Sequence, residues 1–235
     1  MSTDRIDFIS AYCDRWCERC AFTERCSAYA CTVATAMCDG DFAAGLELAV
    51  GEPQPVGGSR ETPAAEEWLA GYEEPSAAEL DAAMREEEVR RERIEALEVS
   101  QLSWNYIMFA HEWLERRDGQ PQPADPLLRE ALEIVAWDST LVGAKLRRAL
   151  AGRDRTAKDS WTELDRVQND ANGSAKVALI SLDRSAAAWR LVADAMQDAS
   201  ASDLAALASR VRSLVADEFP DAMAFVRPGF DEPWR

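Results

Sequence analysis

Six cysteines, all between positions 13 and 38, are the residues of this sequence with the clearest capacity for chemistry. Four of them, Cys13, Cys17, Cys20 and Cys26, follow the spacing C-x3-C-x2-C-x5-C. Intervals of this length allow several thiolates of one loop to reach the same metal ion or cluster. Arginines interleave with the thiols, and cationic neighbours favour the thiolate form that binds metal. We therefore predict a metal site formed by these four cysteines.

The intervals between the last three ligands indicate the kind of metal centre. Cys17-x2-Cys20-x5-Cys26 resembles the four-iron four-sulfur loop of the endonuclease III and adenine glycosylase family, which closes with the same two intervals. The resemblance implies an iron-sulfur cluster (4Fe-4S) and is confined to this loop, since the interval before Cys17 is shorter here. No helix-hairpin-helix element for DNA is evident.

Two alternatives to a cluster remain at this point. A zinc ion is the first, although zinc sites usually join two well-separated pairs of ligands. The second is a set of mutual disulfides or ordinary buried thiols. For Cys31 and Cys38, which lie seven residues apart in a stretch of small residues, we predict buried core thiols. One of them replacing a loop ligand, or resolving an oxidised thiol, is the alternative.

The whole head also resembles that of helical bacterial proteins of uncharacterised role that carry a CxRWCERCxFTxRC-type motif, a resemblance that implies no activity. The charge of the chain, by contrast, limits the kinds of partner that it can bind. The formal net charge of −17 repels nucleic-acid phosphates and anionic lipids, so we expect no nucleic acid and no membrane as partner. No apolar run is long enough to span a bilayer, and Asp4, Arg5 and Asp7 interrupt any secretion leader. We therefore expect a cytoplasmic protein.

Three regions are predicted along the chain. Residues 1–50 form the cysteine-rich metal-binding head. Residues 51–75 form a linker with room for a short helix, because Pro and Gly are concentrated at its start. Residues 76–235 form the body of the protein, in which strand signals are nearly absent. The predicted fold is all-α, a bundle of four to five helices with the head at its N-terminus.

The helices of the bundle are predicted from caps and apolar spacing. Ser76 and Glu79 form a capping-box pattern, and no Pro or Gly follows until Gly119, which predicts one helix over about 77–117. The second half of that helix is apolar on every side and is expected to be buried. Further helices are predicted over residues 126–150, with a stop at Gly152, over 156–197, with a break or kink at Asn172-Gly173, and over 203–219, with a stop at Pro220.

Four polar residues of the bundle are candidates for a site near the cluster. His111, the only histidine, lies on an apolar stretch, Asp138 and Lys145 share one helix face, and Asp183 interrupts another. We favour a buried ionic network that fixes helix register, since buried charges are costly unless they are paired. The functional alternative is a polar pocket that holds a ligand or a proton donor.

The leading functional hypothesis is an iron-sulfur protein for electron transfer or redox sensing, because four cysteines leave no iron open for substrate chemistry. It requires an unidentified protein partner or redox donor. The alternative is a helical interaction module, stapled by zinc or by a cluster, without redox activity. No glycine-rich phosphate loop, zinc-protease helix or nucleophile elbow indicates an enzyme.

Overall fold

The chain is seen here as a computed structural model that describes residues 4–51, 74–156 and 166–231. All regular secondary structure in these ranges is helical, with seven α-helices and no strand. The predicted all-α class is therefore confirmed. None of the helices in the described ranges is long and apolar enough to cross a membrane.

The described residues separate into two units. The first contains residues 4–6, 20–51 and 74–90, and the second contains residues 7–19, 91–156 and 166–231. The head predicted over residues 1–50 is thus divided between the units. The predicted linker over 51–75 lies almost entirely outside the described residues.

Two short helices, α1 (Ser27–Met37) and α2 (Phe42–Val50), form a hairpin in the first unit. Asp41 caps α2 by accepting the backbone N–H of the residue three positions later at 3.1 Å. Gly45 allows the two helices to approach closely, because a Cβ at this position would lie 2.5 Å from the Cα of Thr35. A residue with a side chain would push the hairpin apart.

Helix α3 (Ala77–Glu95) begins at the predicted capping box. The Ser76 hydroxyl accepts the Glu79 N–H at 3.3 Å, and the Glu79 carboxylate accepts the Ser76 N–H at 2.8 Å. The single helix predicted over 77–117 is wrong, because Leu97 adopts an extended conformation and α4 (Glu98–Glu115) starts anew after it. No Pro or Gly marks this break.

The second unit is built around α4 and three longer helices. These are α5 (Pro126–Thr156), α6 (Asp170–Met196) and α7 (Ala199–Glu218). Helix α7 is capped by Asp198 rather than starting after Ser202, and it ends before Pro220 as predicted. Residues 157–165 of the helix predicted over 156–197 lie outside the described residues.

Glycines that were predicted to end or break helices lie inside helices instead. Helix α5 passes Gly152, where a Cβ would lie 3.3 Å from the Cβ of Ala171, so this glycine permits α5 and α6 to pack closely. Helix α6 passes Gly173, where a Cβ would lie 2.4 Å from the ring of Tyr12 and 2.7 Å from that of Phe225. Both glycines serve close packing, which explains why neither breaks its helix.

The replacement of Gly173 by alanine is expected to lower the free energy of unfolding by about 2 kcal/mol. Overpacking against two aromatic rings costs about 3 kcal/mol, and the higher helix propensity of alanine returns about 1 kcal/mol. Gly143→Ala is the matched control, because the added methyl group meets only the flexible end of Ile107. Urea unfolding of both variants checks this, and equal midpoints would contradict it.

The interior of the second unit is centred on Trp189 and Tyr106, both with no exposed surface. The Trp189 indole donates to the Tyr106 hydroxyl at 3.2 Å, and that hydroxyl is also hydrogen-bonded to Ser185. Burial raises the pKa of Tyr106 to about 12. The polar groups of these large side chains are therefore satisfied inside the core.

Helix α4 is not buried on all sides, contrary to the prediction. Tyr106, Ala110 and Trp113 face the core at helical spacing, whereas Trp104 and Phe109 are 58% and 51% exposed. The helix packs through one face, so apolar residues on the opposite face remain in contact with solvent.

Candidate metal centre

The four predicted ligands fall in different units of the described structure. Cys13 and Cys17 belong to the second unit, and Cys20 and Cys26 belong to the first. The described residues include all six cysteines of the chain, and each is of intermediate exposure. No disulfide of the kind considered from the sequence is present among them.

Cys31 and Cys38 are not the buried thiols predicted from the sequence. Cys31 lies within α1 and Cys38 caps its C-terminal end, and both are partly exposed. The α1–α2 hairpin is too small to enclose both faces of α1, so side chains other than Ala34 stay accessible on this helix.

The described structure divides the four predicted thiols between two units and so does not test them as one ligand group. Within residues 4–51, 74–156 and 166–231, no three histidine, cysteine, aspartate or glutamate side chains form a set suited to a metal ion. Thiolate sites are rarely formed without their metal, because metal binding itself supplies the free energy that orders the ligands. The ligand set Cys13, Cys17, Cys20 and Cys26 stays a prediction from spacing.

In the first unit, two of the sulfurs accept backbone hydrogen bonds. The Cys20 sulfur accepts the N–H of Phe22 at 3.4 Å, and the Cys26 sulfur accepts the N–H of Tyr29 at 3.5 Å. Cys26 is also the N-cap of α1, where the helix dipole favours negative charge. Hydrogen bonds to sulfur are among the features that tune iron-sulfur centres, so both positions suit a thiolate ligand.

Two of the arginines that interleave with the cysteines pair with carboxylates. Arg25 contacts Asp4 in the first unit at 3.1 Å, and Arg19 contacts Glu130 at 3.2 Å and also Glu133 in the second. The positive charges of Arg19 and Arg25 are therefore balanced by acidic side chains and do not act on the thiols alone.

A lysine of α5 supplies positive charge beside the first cysteine. Lys145 is 7% exposed and donates to the carbonyl of Ala11 at 3.0 Å. Burial lowers the pKa of Lys145 to about 8, and an electrostatic interaction with Cys13 opposes this effect. The Cys13 sulfur itself donates to the carbonyl of Ser10 at 3.5 Å. Lys145 thus fastens the chain just before Cys13 to the bundle.

The stability of the wild type relative to a Lys145→Met variant is expected to rise between pH 8 and pH 10.5. In this window the folded state has lost the lysine proton, whereas the unfolded chain, with an ordinary pKa of 10.5, keeps it. The unfolded state then binds more protons, so stability increases with pH, by at most about 3 kcal/mol. Urea unfolding of both proteins across this range measures the difference, and a flat difference would contradict the expectation.

Between Cys13 and Cys17, Asp14 is tied to the bundle by an ion-pair network. Asp138 of α5 has no exposed surface and accepts two hydrogen bonds from Arg184 of α6, at 2.8 and 2.5 Å. Arg184 also donates to the carboxylate of Asp14 at 2.9 Å. Burial raises the pKa of Asp138, and the contact with Arg184 opposes that rise. One guanidinium therefore joins two carboxylates.

An aromatic contact reinforces this attachment. The rings of Trp16 and Trp137 stack with centroids 5.4 Å apart, and the guanidinium of Arg19 lies 4.0 Å from the centre of the Trp16 ring. The Trp137 indole donates to the backbone carbonyl of Asp14 at 2.8 Å. Sequence reasoning missed Asp14, Trp16 and Trp137, although the first two lie between predicted ligands.

The polar pocket considered from the sequence is not formed. His111 is exposed and pairs with Glu115 one turn later at 3.2 Å. Asp183 is exposed and pairs with Arg212 at 3.1 Å. His111 and Asp183 therefore have surface partners of their own, whereas Lys145 contacts the N-terminal segment directly and Asp138 is linked to it through Arg184. The favoured interpretation, a buried ionic network, is therefore confirmed for Asp138 and is wrong for His111 and Asp183.

Comparison with known proteins adds no relative to these observations. The chain matches no family model, no curated protein and no solved structure.

Proposed function

We propose that this protein is an iron-sulfur protein that serves electron transfer or redox sensing. Cys13, Cys17, Cys20 and Cys26 would ligate a 4Fe-4S cluster. The observation that carries the proposal is the C-x3-C-x2-C-x5-C spacing of four cysteines, none of which forms a disulfide in the described residues. Four thiolates complete the coordination of a cubane cluster, which leaves electron gain and loss as its chemistry.

The surroundings of individual thiols support thiolate ligation. Backbone N–H groups point at the sulfurs of Cys20 and Cys26, and the positive charge of Lys145 acts on Cys13. A cluster with four thiolates carries net negative charge, so donors and cations around the sulfurs favour its binding and its reduction. The overall charge of −17 favours a redox partner with a basic docking surface.

Purification without oxygen, followed by assays of iron and acid-labile sulfide, tests the proposal. We expect about four iron and four sulfide per chain and broad absorption in the blue region that bleaches reversibly with dithionite. The absence of labile sulfide and of this absorption would overturn it.

The second candidate is a helical interaction module stapled by zinc or by a cluster that does not change oxidation state. The tight attachment of Asp14 and Trp16 to α5 and α6 favours it, because a staple requires firmly held ligands. This function predicts metal that is unchanged by mild reductant and oxidant. Reversible bleaching of the same sample would exclude it.

A further inference from the structure

The chain between the first two cysteines is held in place by polar contacts rather than by burial. None of the residues 13–17 is buried, so the hydrophobic effect contributes little to fixing them. Asp14 is nevertheless held at two points, through its carboxylate by Arg184 and through its carbonyl by Trp137. Directional hydrogen bonds set orientation more than they add free energy.

The backbone of this segment is also held in an unfavourable conformation. Arg15 has φ of 59°, in the left-handed region that side chains other than glycine and asparagine rarely adopt. Such a conformation persists only where the flanking contacts determine it. Asp14 on one side and Trp16 on the other supply those contacts, so the turn that separates Cys13 from Cys17 is fixed by the bundle.

Arg184, which holds the Asp14 carboxylate, cannot rotate freely. Arg184 forms two hydrogen bonds to the fully buried Asp138, which fix the plane of its guanidinium. Its remaining terminal nitrogen then meets Asp14 from a set direction. Trp137 directly precedes Asp138 on α5, so the indole that contacts the Asp14 carbonyl and the carboxylate that fixes Arg184 lie on the same turn of one helix.

We propose that Arg184, Trp137 and Asp14 are positioning residues that set the direction of the Cys13 and Cys17 thiols for metal binding. This inference rests on the proposed function, because it assigns the network a role in ligand geometry. A ligand loop that is oriented before binding loses less conformational entropy, and removal of such outer contacts typically lowers metal affinity by about 10–100-fold. A network that only fixed helix register would not need to reach Asp14.

Asp14→Asn and Trp137→Phe test the inference in the 235-residue chain. The first variant spares the Asp138–Arg184 pair, and the second keeps an aromatic ring against Trp16. Asp183→Asn is the control, because it alters a surface carboxylate next to Arg184 on the same helix. Hydrogen exchange of residues 12–19 in the metal-free protein measures the anchoring, and the rate of iron loss to a chelator at full native helicity measures its effect on the site.

Both test variants are expected to exchange faster at residues 12–19 and to lose iron at least about ten-fold faster than the wild type and the control. Faster exchange with an unchanged rate of iron loss would overturn the inference while the proposed function stands. Unchanged exchange would overturn it as well. A wild type that contains neither iron nor labile sulfide would overturn the proposed function and the inference together.

Discussion

Cys17→Ser is expected to lower the iron and labile sulfide content of the protein by more than about ten-fold, a loss at least as large as that caused by removing an outer contact of a metal site. Cys17 bounds both the x3 and the x2 interval, so its sulfur is required whichever neighbouring pair initiates binding. A serine oxygen is a harder and less acidic ligand that holds iron-sulfur clusters poorly. Metal and sulfide assays on protein purified without oxygen measure the loss.

Cys31→Ser is the matched control for that experiment. It makes the same chemical change to a partly exposed thiol on α1, outside the predicted loop. We expect this variant to keep the cluster. Full cluster content in Cys17→Ser would contradict the ligand assignment, and loss of the cluster in Cys31→Ser would place Cys31 among the ligands instead.

Features of this chain that depend on neighbouring residues were predictable from the sequence. The capping box of Ser76 and Glu79 and the end of α7 before Pro220 each follow from local hydrogen-bonding rules. The burial of Asp138 and Lys145 follows from their place on an apolar helix face. In each case the physical cause lies within a few residues along the chain.

Features that depend on distant residues were not predictable. The partner of Asp138 is 46 positions away, and the carbonyl that Trp137 contacts is 123 positions away. Gly152 and Gly173 are of a residue type that commonly ends or breaks helices. Only their packing partners show that here they permit two elements to approach closely. Spacing alone selects candidate residues, whereas pairing depends on how the helices pack.

The exposure of individual apolar residues likewise could not be predicted from the sequence. Trp104 and Phe109 belong to a stretch that is apolar around the whole helix, so its pattern does not identify the face that packs. The same limitation applies to His111, which is aligned with apolar neighbours yet pairs with Glu115 at the surface. A uniform apolar segment carries no directional signal.

Arg184→Met is expected to lower the free energy of unfolding near neutral pH by about 3–5 kcal/mol, because it leaves the buried Asp138 without a cation. Arg212→Met removes a cation from an exposed pair with Asp183 and is expected to cost less than about 1 kcal/mol. Urea unfolding of both variants measures the two values.

The pH dependence of the Arg184→Met variant separates loss of charge pairing from loss of packing. Without the guanidinium, burial raises the pKa of Asp138 further above its unfolded value of 3.8. The folded variant then binds a proton that the unfolded chain lacks, so its deficit is smallest below pH 3.8 and grows as the pH rises towards the raised pKa. A second change, Asp138→Leu, removes the stranded carboxylate and is expected to restore most of the lost stability. A deficit that is independent of pH and is not restored would mean that Arg184 acts through the packing of its aliphatic chain instead.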